Sequence, residues 1–445
     1  MSINILTGIT LILALAGSAT AANLVVYNTN NVGAGSFRQA IADNAALGGG
    51  NTIIFSNAVA GTITLSTGEL FISNDVTIIG PGPKVLAVDG NAASRIFHIT
   101  NSTVVISGLT ITNGSAGGGV LGGGMFNNHS TLTISNCNIT GNTADGGGGV
   151  ASRNFKGRTA LLSLIASTIS SNYAAFYGGG IFIFGEPSAT STVVACTLTD
   201  NYAVNGGGGI ASGAGGRVVL TVIASTFSSN ATAGVGFGGG GILNHTDNLD
   251  PTTAILEIGN CILKAGASGP NLANSSGTII SQGYNISSDD GGGHLTAIGD
   301  QITTDPMLGP LQDNGGPTFT HALKVGSPAI DGGKSFSLSA DQRGSPRTYD
   351  NPNIANATGG DGTDVGAYEA SELRIVGIQT TGDHLQLDFT SWLGANYEVQ
   401  SRSNMLAGSW EPLPGSTPGN GGVASTTVSN ALDQPKRFYR IHPVP

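Results

Sequence analysis

Apolar and polar residues alternate in short segments that recur at a nearly constant spacing between residues 114 and 261. In one segment Leu132 and Ile134 alternate with polar neighbours, and Leu162 and Leu164 take the equivalent positions in the next. Alternation with a period of two places successive side chains on opposite faces of an extended chain. The pattern therefore predicts a series of short β-strands, each with one face buried and one face toward solvent.

Each repeating unit also contains an asparagine and a run of three or four glycines that is followed by an apolar residue. The asparagines are 30, 29 and 29 residues apart. They are Asn142, Asn172, Asn201 and Asn230, and the glycine runs occupy residues 146–149, 178–180, 206–209 and 238–241. A fixed period of this length indicates a solenoid, in which each unit buries its apolar face only against its neighbours.

Strands that recur in the same order at one period would pair in parallel between successive coils, which is a β-helix. We expect the glycines at sharp corners, where a positive φ or a close backbone approach is needed. An asparagine at a fixed corner tolerates the left-handed region, and its amide can bond to its counterpart one coil away. We therefore predict a structural ladder formed by Asn142, Asn172, Asn201 and Asn230.

The ends of the solenoid carry different patterns. Residues 36–47 form the one predicted helix, with Ser36 as N-cap and Gly48 just past its end. Its apolar residues at helical spacing are Phe37, Ile41 and Ala45. Such a helix would cover the open end of the strand stack and prevent edge-to-edge association.

The segment 35–41 reads GSFRQAI and resembles the "CSLREAI" segment that opens a family of bacterial surface proteins. Residues 51–55, 76–82 and 106–114 match the same family, and the resemblance covers roughly residues 23–370. It implies a right-handed parallel β-helix, similar in architecture to pectate lyases and to polymorphic outer-membrane adhesins. Residues 305–369 are dense in turns and resemble the "choice-of-anchor" region that closes such β-helices.

Four segments are predicted along the chain. An apolar stretch before Ala19-Thr20-Ala21 is typical of a secretory signal peptide. Alternating Leu385, Leu387 and Phe389 indicate a small antiparallel β-sandwich near the C-terminus. The expected segments are a signal peptide (1–21), a β-helix with an N-terminal cap (22–304), a closing region (305–370) and the sandwich (371–445).

Composition narrows the possible partners. Charged residues are only 10% of the chain and the net charge is −10, which argues against binding to nucleic acid or to an anionic membrane. No other segment is long and apolar enough to span a membrane.

The cysteines are not placed to form a disulfide. Cys137 and Cys196 would lie two coils apart, with about 10 Å between them. That separation exceeds the roughly 7 Å between Cα atoms that a disulfide allows, so we predict free thiols.

Residues 113–262 contain only ten charged residues, and their carboxylates are scattered. Hydrolysis or elimination of a polysaccharide would need clustered carboxylates or an acid–base pair. The best concentration of charge is Arg153, Lys156 and Arg158, which predicts contacts to an acidic glycan or, alternatively, a solvated loop.

A calcium site at Asp247 and Asp250 is conceivable, although aspartate also favours turns. No cofactor is otherwise predicted.

The sequence thus predicts a secreted or cell-surface bacterial β-helix that acts as an adhesion, matrix or polysaccharide-binding rod without catalysis. Serine, threonine and asparagine on the outer faces of the coils would form shallow hydrogen-bonding grooves for an extended polymer. One alternative is a polysaccharide lyase or glycoside hydrolase that acts on an extended acidic glycan, and another is a purely structural exoprotein without a ligand. The enzyme alternative would gain support if Asp145, Asp200 and the basic loop converged around one groove.

Overall fold

Strands account for 46% of the computed structural model and helices for 3%, so the protein is all-β. Its described residues are 21–154, 160–185, 188–213, 217–234, 238–246, 254–405, 408–433 and 437–444. The predicted signal peptide lies outside them except for Ala21. They form a parallel β-solenoid of about eight turns and a C-terminal region of antiparallel sheets. The predicted all-β class and parallel β-helix are confirmed.

Three parallel sheets run along the solenoid, and a typical coil contributes one strand to each of them. The first sheet has ten strands. They are Asn23–Val26, Asn51–Phe55, Val76–Ile79, Thr103–Ser107, Thr131–Ser135, Ala160–Ile165, Ser188–Val194, Arg217–Ile223, Ala254–Gly259 and Thr278–Gly283. Equivalent residues of successive coils pair in register, for example Leu132 with Leu162 and Ile134 with Leu164.

The second sheet follows the first around each coil and has twelve strands. Nine belong to its main ladder: Gly61–Thr64, Leu86–Asp89, Thr110–Thr112, Asn138–Thr140, Thr168–Ser170, Thr197–Thr199, Thr226–Thr232, Ile262–Ala265 and Ile286–Ser287. Three short strands continue the sheet around the next corner: Thr143–Gly146, Tyr173–Tyr177 and Tyr202–Ala203. The long strand Thr226–Thr232 joins both parts, because it pairs with members of each.

The third sheet completes the coil and has eight strands. They are Leu70–Ile72, Phe97–Thr100, Met125–Asn128, Val150–Arg153, Ile181–Phe184, Ile210–Gly213, Ile242–His245 and Leu272–Ser275. Inward residues of all three sheets stack in columns and form one continuous core along the axis. Burial of these columns, at about 25 cal/mol per Å² of apolar surface, is the main force that holds the coils together.

The helix Phe37–Ala46 covers the N-terminal end of the solenoid, as predicted. Ser36 caps it, because its side chain accepts a hydrogen bond from the backbone N–H of Gln39. Phe37 is fully buried and its ring lies 5.1 Å from that of Phe55. Arg38 donates to the carbonyl of Glu69 at 2.6 Å and so fastens the helix to the next turn. The GSFRQAI segment therefore acts as an end cap.

The four repeat asparagines form a hydrogen-bonded ladder at the corner after the main part of the second sheet. Along Asn142, Asn172, Asn201 and Asn230, each Nδ2 donates to the Oδ1 of the next at 3.0, 2.9 and 2.9 Å. The backbone N–H donates to the same oxygen at 3.0, 3.1 and 3.1 Å. These side chains are at most 2% exposed. The ladder thus replaces water as the partner of the turn's polar groups.

The left-handed residue at this corner is the one before each asparagine. Gly141, Ser171, Asp200 and Ser229 have φ values of 67°, 54°, 55° and 57°. The expectation that the asparagines themselves adopt the left-handed conformation is therefore wrong. Their role is to satisfy buried backbone groups, because a side-chain amide offers both a donor and an acceptor there.

The glycine runs lie at the corner that leads into the third sheet. Gly147, Gly178 and Gly207 have φ values of 64°, 67° and 67°, which glycine adopts without strain. The next glycine approaches the following coil closely: a Cβ on Gly179 would lie 2.4 Å from the carbonyl oxygen of Tyr202. Both reasons given for these glycines, positive φ and close approach, hold at this corner.

Cysteine and serine alternate in one column at the corner between the first and second sheets. The backbone N–H of Cys137 donates to the Oγ of Ser167 at 3.2 Å, and that of Cys196 donates to the Oγ of Ser225 at 3.1 Å. Cys137 and Cys196 are free and buried, as predicted, and so is Cys261. Burial raises the pKa of each thiol to about 12, so the reactive thiolate is suppressed.

Residues 305–370, which we call the covering segment, turn back along the solenoid. The segment contains the antiparallel pair Leu308–Gln312 and Thr320–Leu323. Thr168 Oγ1 donates to the carbonyl of Phe319, and Thr197 Oγ1 donates to Gln342 Oε1, both at 2.6 Å. The segment therefore packs on the outer face of the second sheet.

Two antiparallel sheets follow and share one core, which includes Phe389, Tyr397 and Ile441. One sheet consists of Ile375–Thr381, His384–Thr390 and Val423–Val428, and the other of Asn396–Arg402, Glu411–Pro412, Thr417–Pro418 and Phe438–Val444. In the described part of the chain, no helix has the length and apolarity needed to cross a bilayer.

Candidate functional site

Part of the polar outer face of the second sheet is unavailable to a ligand. Thr197, Thr199 and Thr226 point outward from their strands but are at most 1% exposed, because the covering segment lies over them. His321 of that segment contacts Thr199, with Nε2 3.2 Å from Oγ1. The predicted polar groove can therefore exist only where the segment leaves outward side chains of the second sheet exposed.

A groove of about 460 Å³ lies between the outer face of the second sheet and the covering segment, which contributes Asp313 and Phe319 to its lining. Its floor consists of outward side chains from three successive coils: Thr110, Asn138, Thr140 and Ser170. Its walls are Lys84 on one side and Phe319 on the other, and the Nζ of Lys84 lies 6.0 Å from the centre of the Phe319 ring. We call this site the second-sheet groove.

Hydrogen-bonding capacity in the second-sheet groove is only partly used. Ser170 Oγ donates to Thr140 Oγ1 at 3.1 Å, whereas Asn138 Oδ1 is buried and has no partner among the described residues. An unsatisfied buried acceptor of this kind costs free energy. Lys84 is held by Asp313 at 2.6 Å, so the groove carries little net charge.

Arg153 is the last residue of the strand Val150–Arg153, so the solvated loop that the sequence suggested does not begin before it. Its guanidinium carbon is 5.6 Å from the centre of the Phe126 ring, and that of Arg95 is 4.9 Å from the same ring. Arg95 also pairs with Glu69 at 3.1 Å. Lys156 and Arg158 lie outside the described residues, so the basic cluster is represented here by Arg153 alone.

Asp145 and Asp200 lie in coils that are two turns apart. Asp145 Oδ2 accepts a hydrogen bond from the backbone N–H of Gly119 at 2.6 Å, and Asp200 accepts one from Thr199 at 3.3 Å. Among the described residues, no hydrogen bond or ion pair joins these aspartates to each other or to Arg153. The convergence that would have favoured the lyase or hydrolase alternative is therefore not seen in these contacts.

The densest group of carboxylates lies inside the covering segment and serves its backbone. Glu369 Oε1 accepts from the N–H groups of Thr348 and Tyr349 at 3.1 and 2.9 Å, and its Oε2 accepts from that of Asp364 at 3.0 Å. Burial raises the pKa of Glu369 to about 7, although Arg347 acts in the opposite direction. Burial, together with the charge of Glu369, raises the pKa of Asp364 well above its usual range.

Asp331 belongs to the same buried group. Burial raises its pKa to about 6, and the neighbouring charge of Asp350 adds to the rise. Its Oδ2 has no hydrogen-bond partner in the described chain. Because the folded state binds more protons than the unfolded state between the ordinary and the raised pKa values, the free energy of unfolding falls as the pH rises through that window.

We therefore expect the covering segment to become less stable as the pH rises from about 4 to about 7, the window bounded by the usual and the raised pKa values of Asp331 and Glu369. Hydrogen exchange at the amides of Thr348 and Asp364, corrected for the intrinsic pH dependence of exchange, measures this. The buried ladder amides of Asn172 and Asn201 are the internal control. Protection that stays constant or increases over this range would contradict the prediction.

Aspartates elsewhere act as turn residues. Asp361 accepts from the backbone N–H and the hydroxyl of Ser335, and Asp289 accepts from the N–H groups of Asn271 and Gly291. Among the described residues, no three histidine, cysteine or acidic side chains gather to hold a metal ion. Asp247 and Asp250, the predicted calcium ligands, lie outside the described residues.

A cavity of about 650 Å³ lies in the C-terminal region and contains none of the predicted site residues. It is lined by both antiparallel sheets, for example by Val399 and Val428. Arg437, the one charged residue in the described lining, donates to the Oγ of Ser401 at 3.2 Å and has its partner within the sheet. Nothing in this lining indicates a class of ligand.

Aromatic side chains on the outer surface are a feature that the sequence analysis missed. Tyr173 and Tyr202 occupy equivalent positions in adjacent coils, and their rings stack at 5.8 Å with an angle of 9° between their planes. Phe176 is 50% exposed, and Tyr177 stacks on Phe182 at 6.2 Å. The recurrence of tyrosine directly after the ladder asparagine, in Asn172-Tyr173 and Asn201-Tyr202, was the available signal.

Fold and surface together define the protein as a parallel β-solenoid with a partly covered polar face. No protein-family model matches the chain, and the comparison with curated proteins found no significant match.

Proposed function

We propose that the protein is a secreted or cell-surface β-helix that binds an extended polysaccharide without catalysis, and that the second-sheet groove is the binding site. The observation that carries the proposal is the orderly row of outward hydroxyl and amide groups on three adjacent coils. Because the coils are about 4.8 Å apart, the row offers hydrogen bonds at a regular spacing along the axis. An extended polymer with regularly repeated hydroxyls suits such a row.

The character of the groove supports a glycan over a protein or nucleic-acid partner. Phe319 is 38% exposed and offers an apolar wall, while Thr110, Asn138 and Thr140 offer hydrogen bonds from the floor. Sites that combine an aromatic surface with a few placed polar groups are typical of small-molecule recognition. The overall charge of −10 adds repulsion toward polyanions.

The thiols are compatible with an extracellular location. Cys137, Cys196 and Cys261 are fully buried, and a pKa of about 12 keeps them protonated in an oxidising environment. The proposal extends to membership of the CSLREAI-type family, on the strength of the GSFRQAI end cap. In that reading, the covering segment is equivalent to the choice-of-anchor region.

Replacement of Thr140 with tryptophan tests the proposal. The residue points outward from a strand, where an aromatic side chain is tolerated, and the larger ring would fill the groove. We expect the variant to lose at least about tenfold in affinity for the bound glycan, measured by calorimetry on the full chain against an array-selected polysaccharide. The matched control is Thr133→Trp, which lies in the same coil but faces outward from the first sheet.

Two outcomes would contradict the proposal. One is the absence of any glycan binding by the wild-type chain, and the other is equal affinity of the Thr140→Trp variant and its Thr133→Trp control. The enzyme alternative is tested on the same samples by an assay for new reducing ends and for unsaturated products from polygalacturonate. Formation of either product would show that the protein cleaves the polysaccharide, which contradicts binding without catalysis.

A further inference from the structure

A second recess lies on another side of the solenoid, in front of the corner between the short strands and the third sheet. Its position follows from two neighbouring columns of residues. Within each column, residues of successive coils pair with one another. One column consists of Leu121, Gly146, Tyr177 and Gly206. The other consists of Phe126, Ala151, Phe182 and Ala211. Large and small side chains thus alternate from coil to coil.

Side chains of the neighbouring coils fill the space that a side chain on Gly146 would need. Gly146 has no side chain, and a Cβ there would meet the side chains of Leu121 and Phe182 at 2.9 and 3.0 Å. The recess of about 340 Å³ opens outward, and its walls are Leu121, Phe176, Tyr177 and Phe182. We call it the aromatic recess. Its volume is at the lower end of the range for ligand pockets.

Three of the four walls are aromatic, and they are set for contact with a flat ligand. The Tyr177 and Phe182 rings are stacked with an angle of 22° between their planes, so they present nearly parallel surfaces. Phe176 is half exposed and adds apolar surface to the recess. The faces of such rings are electron-rich and attract the weakly positive C–H groups of a sugar ring.

One carboxylate lies at the edge of the aromatic recess. Asp145 uses Oδ2 to accept from the N–H of Gly119, and no described residue donates to its Oδ1. That oxygen is free to accept from a ligand hydroxyl, and a charged acceptor forms a stronger hydrogen bond than a neutral one. The described lining contains no cationic side chain.

We infer that the aromatic recess binds one sugar ring of a neutral polysaccharide, with the ring against Phe176, Tyr177 and Phe182 and a hydroxyl on Asp145. The inference rests on the proposed glycan-binding function and assigns it a class of ligand. Asp145 would repel the carboxylate of a uronic acid, so the recess selects neutral over acidic chains. This is opposite to the acidic glycan that the basic loop had suggested.

A quaternary ammonium group is the main competitor for the recess, because aromatic rings and a carboxylate also attract cations. The nearly parallel stack of Tyr177 on Phe182 favours a flat ring over a cation, which is held best by rings that surround it. The two ligands are separated directly by experiment, since choline lacks the row of ring hydroxyls that a hexose carries.

The test measures binding of neutral hexo-oligosaccharides, polygalacturonate and choline to the full chain and to two variants. Phe176→Ala and Asp145→Asn should each weaken binding of the neutral oligosaccharide, Phe176→Ala by about tenfold. Asn can still accept the hydrogen bond from Gly119, so the fold is preserved. The matched control is Tyr173→Ala, an exposed aromatic residue outside the recess, which should leave binding unchanged.

Each outcome decides the inference. Neutral binding that falls in both recess variants, but not in Tyr173→Ala, supports it. Tighter binding of polygalacturonate or choline than of every neutral chain would overturn it. Glycan binding that is lost in Thr140→Trp but unchanged in Phe176→Ala and Asp145→Asn would refute the recess as a binding site. The same result would support the second-sheet groove as the binding site. No glycan binding by the wild type would overturn both.

Discussion

Replacement of Gly179 with alanine is expected to lower the free energy of unfolding of the solenoid by about 3 kcal/mol or more. A Cβ at this position would lie 2.4 Å from the carbonyl oxygen of Tyr202 and 2.6 Å from that of Gly208. Both contacts are to backbone of the next coil, and neither atom can move as a flexible side chain could. The two coils would have to separate.

Separation of the coils would spread beyond the substituted residue. The backbone N–H of Gly179 donates to Gly207 at 3.1 Å, and that of Gly180 donates to Gly208 at 3.0 Å. Lengthening these bonds leaves buried donors and acceptors poorly paired, at a cost of about 1–3 kcal/mol for each group left without a partner. Because each coil is stabilised only by its neighbours, a defect in the middle weakens the array on both sides.

Chemical denaturation followed by far-UV circular dichroism measures this effect. Both tryptophans, Trp392 and Trp410, lie in the C-terminal region, so their fluorescence would miss the solenoid. Gly117→Ala is the matched control, because a Cβ there meets nothing within 4 Å and the residue is outside the left-handed region. A Gly179→Ala midpoint equal to that of the control would show that the coils are not packed as described.

Replacement of Asn201 with alanine is the second change with a large expected effect, about 2–4 kcal/mol of stability lost. Asn201 is fully buried, and its Nδ2 donates to the carbonyl of Ile169 and to Asn230 Oδ1, both at 2.9 Å. Its Oδ1 accepts from the backbone N–H and the Nδ2 of Asn172 at 3.1 and 2.9 Å. Alanine would leave the N–H of Asn172 and the carbonyl of Ile169 without these partners.

The neighbouring substitution Asp200→Asn is the control. Asp200 is exposed and has a φ of 55°, and asparagine also tolerates the left-handed region. We expect it to change stability by no more than about 0.5 kcal/mol. Limited proteolysis provides a second measurement, since a broken ladder should expose cleavage sites in the coils around residue 201. Equal stability of the Asn201→Ala and Asp200→Asn proteins would refute the ladder's role.

The solenoid could be predicted because its determinants are local and repeat. The spacing of Asn142, Asn172 and Asn201 placed them at one corner, and alternation at Leu132 and Ile134 gave the inward face. The left-handed residue was misplaced by one position. The asparagine and the residue before it lie at the same corner. The sequence does not show which of the two adopts the left-handed conformation and which forms hydrogen bonds to the backbone; the backbone geometry does.

The covering segment and the candidate sites could not be predicted in the same way, because they depend on distant contacts. The bond between Thr197 and Gln342 joins residues 145 positions apart, and nothing in either local sequence points to the other. The outward threonines were therefore taken for an open surface. The aromatic recess depends on the pairing of Gly146 with Tyr177, which requires the register between coils and not merely the repeat length.

The return path of the covering segment has a consequence for the order of folding. Thr168, Thr197 and Thr226 must wait for partners that are synthesised 151, 145 and 141 residues later. Coil stacking needs only the chain already made, whereas closure of so long a loop is entropically slow. A nascent chain would therefore stack its coils first and bring in the lateral segment last. Until that docking step, the rows of hydroxyls on the growing stack remain hydrated.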